Sequence, residues 1–185
     1  MKKVPAVQSE NNRFCAFLRG VNVQGTNMKM AAVCAVFEKA GMSDVSSVLA
    51  SGNILFSSER NGRELTQILE KAMSDYFSYD AFLFIRNQEE IARIFSENPF
   101  EADPHYHIYS FVGVEGIENT LMSEFDMSRQ ASGEKAQIVA GKFYWKTPKG
   151  NTLESEFGKV LGRKKLKNSF TSRNLNTIEK VIKKI

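Results

Sequence analysis

Three short stretches gather the residues with chemistry to offer. Leu18–Met30 reads LRGVNVQGTNMKM and holds Arg19, Gly20, Asn22, Gly25, Asn27 and Lys29. Ser51-Gly52-Asn53 and Arg173-Asn174-Leu175-Asn176-Thr177 are the other two. Guanidinium, ammonium and amide groups are donors, and donors suit an anionic or amide-rich ligand. Gly20 and Gly25 sit between an apolar run and a helical pattern, as in a phosphate-cradling loop. Thr26 and Asn27 stand where such a loop needs Lys and then Ser or Thr to reach phosphate and Mg²⁺, which argues against nucleotide hydrolysis. Amides near a helix start, with Arg19 and Lys29 beside them, still suit an anion held without hydrolysis. The plainer reading is that the glycines allow a tight turn, Asn27 caps a helix, and the polar residues tie two parts of the chain by buried hydrogen bonds.

Other constellations are thinner. Asp103, His105 and His107 lie close in sequence, but no Cys and no third positioned ligand joins the histidines, so no metal and no cofactor is assigned. Ser51 has no His placed near it in sequence, and no Gly-x-Ser-x-Gly elbow exists. Glu89-Glu90 sits at a helix start, where capping accounts for it. No catalytic residue is assigned.

The elements that must position these groups follow from periodicity. Arg13–Leu18 is apolar without alternation, the pattern of a strand buried on both faces. Met28–Ala40 carries a helical stripe of Met30, Val33, Cys34 and Phe37, and Gly41 stops it. Val45–Ala50 and Ile54–Ser57 read as strands around a hairpin turn at Ser51-Gly52-Asn53. Asn61 and Glu64 start a helix, and Ala81–Ile85 is a further strand. This β-α-β-β-α-β order over residues 13–86 reads as a ferredoxin-like unit, which puts the first and third strands side by side and Asn53 beside Leu18–Arg19.

Asn87 and Glu90 start another helix, which stops at Asn98-Pro99. Strand Ile108–Val112, a helix near Asn119–Phe125, a hairpin of Ala136–Val139 with Phe143–Trp145, and a helix capped by Thr152 follow. Gly162–Phe170 reads as a basic linker, and Thr171 or Ser172 caps a final helix. The expected class is α+β: a tandem of two ferredoxin-like halves with antiparallel sheets, plus a C-terminal helix. The expected divisions are a disordered tail at 1–12, halves at 13–86 and 87–162, and a basic segment with a terminal helix packing back at 163–185.

Taken together, LRGVNVQGTNMKM, SGNILF and SRNLNTI resemble, in order, the landmarks of a bacterial family known as domain of unknown function 1697: roughly LRGINVGGKN…KM, QSGNVVF and TARNWNTV. The resemblance implies a tandem ferredoxin-like protein and carries no activity, cofactor or catalytic residue with it. Gln24, Thr26 and Leu175 depart from the family's Gly, Lys and Trp, and the missing basic residue at Thr26 weakens any phosphate role that depended on it.

Composition bounds the function. With 42 % hydrophobic and 25 % charged residues, the chain is an ordinary globular protein with material for a core. No apolar run approaches the roughly 20 residues of a membrane span, so no membrane partner is expected. Two unclustered cysteines, Cys15 and Cys34, fit a reducing cytoplasm. The net charge of +4 divides into +9 over residues 142–185 (12 Lys/Arg, 3 Asp/Glu) and −5 before them (13 against 18). That asymmetry suits an anionic partner. The expected function is a binding protein for an anionic, phosphorylated small ligand or for nucleic acid at the loop end of the N-terminal sheet, held by Arg19, Asn22, Lys29, Ser51, Asn53, Arg173 and Asn176. Arg163, Lys164, Lys165 and Lys167 would extend the surface to nucleic acid, although no RNP-like aromatic pair sits on a polar strand. One alternative is an enzyme on a small polar substrate, with Arg19 orienting it and Lys29 or Ser51 reacting, for which no general base stands out. The other is a purely structural role for the motif residues. The sequence assigns no oligomeric state.

Overall fold

A computed structural model of the chain describes residues 12–21, 28–166 and 168–185. Asn22, Gly25, Thr26, Asn27 and Lys167, singled out above, lie outside the described residues. The protein is α+β, with two four-stranded antiparallel sheets and six helices among the described residues.

The first sheet is built from β1 (Arg13–Arg19), β2 (Ser43–Ser47), β3 (Asn53–Ser57) and β4 (Phe82–Asn87), in the order β2-β3-β1-β4. Phe17 pairs with Asn53 and Leu18 with Leu83, so the Ser51–Asn53 turn abuts the end of β1, as the connectivity requires. Helices α1 (Met30–Lys39) and α2 (Gly62–Phe77) cover one face. Ala16, Leu18, Ile54, Phe56, Val33, Phe37, Leu65 and Leu69 bury themselves there. Helix α1 starts at Met30, with Lys29 in the cap position and no side-chain cap. Asn61 accepts from the Glu64 N–H to start α2.

The second sheet comprises β5 (Tyr106–Gly113), β6 (Lys135–Val139), β7 (Lys142–Pro148) and β8 (Phe170–Asn174), in the order β6-β7-β5-β8. Helices α4 (Ile117–Met127) and α5 (Glu156–Leu161) cover its outer face, packing on Phe111, Phe143 and Trp145. The inner faces of the two sheets meet around α3 (Gln88–Ser96) and α6 (Leu175–Ile182). Cys15, Phe17, Leu55 and Phe84 from the first sheet, Val112 from the second, Ile91 and Ile94 from α3, and Ile178 and Val181 from α6 form that central layer. β1 is therefore buried on both faces, which is why its sequence shows no alternation. Asn87 and Glu90 complete a reciprocal capping box at the start of α3.

Two element readings are corrected. Residues 170–174 are not linker and helix cap but a strand, and Asn174 rather than Thr171 or Ser172 caps α6. β8 escapes the hydrophobic pattern because Phe-Thr-Ser-Arg-Asn is mostly polar, and its buried polar groups are satisfied by neighbours rather than by apolar packing. Ser155, not Thr152, caps α5 by accepting from the Gly158 N–H.

Gly52 sets the turn against β1. Its φ is +73°, and a Cβ there would lie 2.5 Å from Val21 Cγ2 and 3.0 Å from Leu18 Cβ. Gly41 also has a positive φ, +89°, but nothing lies within 4 Å of where its Cβ would be. Gly41→Ala should therefore cost only the conformational penalty, about 1 kcal/mol. Gly52→Ala adds a clash with packed side chains and should cost about 2–3 kcal/mol or more. Urea denaturation of the two variants measures the difference.

Candidate functional site

The three motif stretches meet at one end of the first sheet, and the group that joins them is the Arg173 guanidinium. β8 carries Arg173 alongside β5, where Ser110 pairs with it, and aims its side chain across the central layer at the end of β1. Nε donates to Asn53 Oδ1 (2.5 Å), and Nη1 donates to Thr171 Oγ1 (2.7 Å) and the Ser172 carbonyl (2.8 Å). Nη2 donates to the carbonyls of Leu18 (2.7 Å), Ser51 (3.1 Å) and Gly52 (3.2 Å). Arginine has five N–H groups, so six acceptors leave none idle. The guanidinium also lies over the Phe17 ring, 5.6 Å from its centroid.

Asn53 is fully buried and equally engaged. Its amide donates to the Val48 carbonyl (2.8 Å) and to Ser51 Oγ (3.0 Å) while its oxygen receives Arg173. Arg19 donates to the Phe170 carbonyl and lies 4.9 Å over the Phe170 ring. Both arginines are thus held by carbonyls, an amide and ring faces rather than by carboxylates. Burial lowers the Arg173 pKa to about 10, with the nearby Arg19 charge adding to the effect, and the group stays charged at neutral pH. Burial likewise lowers Arg19. Beneath them, Cys15 is pushed up to about 12 by its burial, so it stays a thiol at neutral pH.

Of the residues expected to share a site, Arg19, Ser51, Asn53 and Arg173 come together. Ser51 and Lys29 are exposed. Asn176 does not join them: it is exposed on the first turn of α6 and lines a cavity with His107. Arg163 and Lys165 turn back onto buried Glu124, Arg163 at 2.9 Å, so two of the four cations expected to extend a nucleic-acid surface are paired within the protein. No group of three or more His, Cys, Asp or Glu that could hold a metal ion occurs among the described residues.

A wide cleft lies elsewhere, at the opposite end of the first sheet. A cleft of about 1120 Å³ separates the end of β4 and the starts of α2 and α3 from the end of β5 and the start of α4. Arg86, the last residue but one of β4, reaches into this region, donating from Nη1 to its neighbour's carbonyl at Ile85 (2.8 Å) and from Nη2 to the Gly113 carbonyl (3.0 Å). Burial lowers its pKa, with Glu90 opposing. Arg63, exposed on the first turn of α2, lines the same cleft. Among the described residues neither arginine has a carboxylate within ion-pair distance, whereas Arg93 is paired with Glu89 and Lys142 with Glu97. Glu70, also in the wall, accepts from the Leu83 N–H, and burial raises its pKa toward the neutral form. Arg86 was missed in sequence because a lone Arg closing an apolar strand looks like an ordinary strand end; the one signal was its place at the mouth of the crossover into α3.

The family described as "Protein of unknown function (DUF1697)" matches residues 12–144, more than half of the chain. The chain belongs to the DUF1697 family. Two of the three landmark stretches fall inside the matched region, and the Arg173–Thr177 stretch lies beyond it. No curated protein matches. Among solved structures, a conserved bacterial protein from Streptococcus pneumoniae is similar in fold, with a TM-score of 0.74 over 92 % of this chain and 97 % of that one at 18 % identity.

Two outcomes test how this DUF1697 member uses its charges. Arg173→Met should lower stability by about 3 kcal/mol or more, because several buried acceptors lose their donor together. Arg173→Lys should recover little, since three donors on one point cannot reach all those acceptors. Denaturant midpoints measure both. Glu124 is held below its ordinary value, first by the Lys165 ammonium. A lowered carboxyl stabilises the fold above its unfolded pKa, and that stability goes as pH falls through the folded value. Glu124→Gln should therefore flatten the loss of stability below about pH 4.5 seen by thermal melts in acid.

Proposed function

We propose that this protein is a binding protein for a small anionic ligand, a phosphate- or carboxylate-bearing metabolite, taken in the cleft between its two halves. The observation that carries the reading is Arg86. It is a desolvated cation with two of its N–H groups on carbonyls, no carboxylate within ion-pair distance among the described residues, and an open cleft of about 1120 Å³ beside it. Arg173, equally without a carboxylate partner among the described residues, has every N–H engaged and needs no ligand. Arg86 has donors left, and a ligand anion would supply the direct contact that Glu90, acting on it from beyond ion-pair distance, does not. Arg63 would add a second cation from the rim. Glu115 and Glu118, also in the wall, set a limit on how negative the ligand's far end can be. No His or Cys lines the cleft among the described residues, and Glu70, whose pKa burial raises, is already engaged by the Leu83 N–H, which favours binding over catalysis.

On this reading the motif residues Arg19, Asn53 and Arg173 act as the joint that holds the halves in register, and Lys29 and Ser51 are the members of that cluster left facing solvent. Each half is read as a ferredoxin-like unit, 13–86 and 87–162, with β8 from the 163–185 segment closing the second sheet. The support is that both sheets are antiparallel and run in the same strand order. No helix among the described residues is long and apolar enough to cross a membrane, and Cys15 and Cys34 are unpaired, which supports a cytoplasmic protein.

Isothermal titration at low salt with inorganic pyrophosphate and with citrate tests the proposal. At least one probe should bind saturably. Arg63→Ala, at an exposed residue, should weaken that binding without moving the melting temperature, and Arg86→Ala should weaken it roughly tenfold or more, the loss expected of a charge-assisted contact. Absence of binding by both probes, or binding indifferent to both substitutions, would overturn it.

A further inference from the structure

A second cavity, of about 500 Å³, lies where the start of β5 meets the start of α6, and the two sequence features left outside the motif cluster, His107 and Asn176, both line it. Asn174 fixes its chemistry. Its Oδ1 accepts from the Asn176 N–H (2.9 Å) to cap α6, which settles which way round the amide stands. Nδ2 is then the atom 3.0 Å from His107 Nδ1, and because an amide nitrogen only donates, Nδ1 must accept. The neutral ring therefore carries its proton on Nε2, which has no partner among the described residues.

The other polar groups of the wall divide in one direction. The carboxylates are occupied: Asp103 accepts from the His105 N–H (2.8 Å) and lies 3.8 Å from Lys146, and Glu179 pairs with Lys183 at 2.5 Å. Among the donors, the Asn98 amide is taken by the Phe100 carbonyl (2.6 Å), while the Lys149 ammonium and the Asn176 side-chain amide have no partner among the described residues. Phe95, Pro104 and Ile108 supply an apolar wall. We infer that this cavity binds a small organic carboxylate with an apolar body, its oxygens taken by His107 Nε2–H, the Asn176 amide and Lys149. The site shares no lining residue with the Arg86 cleft and stands independently of it.

Nitrogen-resolved NMR of the full chain, titrated with benzoate, tests the inference; benzamide, of the same shape without the charge, is the comparison. The expected result is a protonated Nε2 on His107 before ligand, and saturable benzoate shifts at the His107 ring and the Asn176 side-chain amide. Benzamide should give much weaker shifts. Lys149→Gln, at an exposed position that leaves the fold intact, should weaken benzoate roughly tenfold. A proton on Nδ1, equal response to benzamide, benzoate shifts confined to Arg86 Nε, or indifference to Lys149→Gln would each overturn it.

Discussion

One buried guanidinium holds the ends of this structure together. A cation taken out of water without a counter-charge is costly unless each of its protons finds an acceptor. Arg173 meets that condition with carbonyls from Leu18, Ser51, Gly52 and Ser172, the Asn53 amide oxygen and the Thr171 hydroxyl. The acceptors come from the end of β1, the turn before β3 and β8 itself, so satisfying one side chain dictates where three segments lie. Asn53 extends the constraint, because its own amide pins Val48 and Ser51 while its oxygen holds Arg173.

The two sheets are bridged reciprocally. Arg173 leaves the second sheet to reach the first, and Arg86 leaves the first to reach Gly113 on the second. Between them the apolar layer around Phe17, Val112, Ile91 and Ile178 supplies the non-directional part of the attachment. The two bridges differ in completeness. One is closed by the protein's own dipoles; the other is open to a cleft. The tight approach of β5 to the start of β8 belongs to the same frame: a Cβ on Gly113 would lie 2.4 Å from the Ser169 carbonyl.

Much of the first half could be read from residue types. The unalternating Phe-Cys-Ala-Phe-Leu run meant burial on both faces, and strand connectivity alone put Asn53 beside Leu18. The capping box at Asn87 and Glu90 was visible as a pair of residue types at the right spacing. β8 was hidden because its buried positions are Thr and Arg as well as Phe, and hydrophobic patterning registers burial only when apolar atoms do the filling. The convergence of Arg19, Asn53 and Arg173 was readable from the motifs. Whether they faced a ligand or one another was not, since that depends on how many acceptors the fold brings within reach of each guanidinium. Arg86 carried no motif at all, and nothing in the Arg173–Thr177 stretch or around His107 foretold that Asn174 and His107 would meet.

Sheet order also has a consequence for how the chain matures. The first sheet is complete once Asn87 has been made, with all four strands and both covering helices drawn from one continuous segment. The second sheet lacks its β8 edge, and the central layer lacks α6, until residues 170–182 leave the ribosome. During that interval the inner faces of both sheets, with Phe17, Leu55 and Val112, have no complete cover. The last segment made thus supplies at once the fourth strand of the second sheet, the helix that completes the central layer, and the arginine that ties the second sheet to the first.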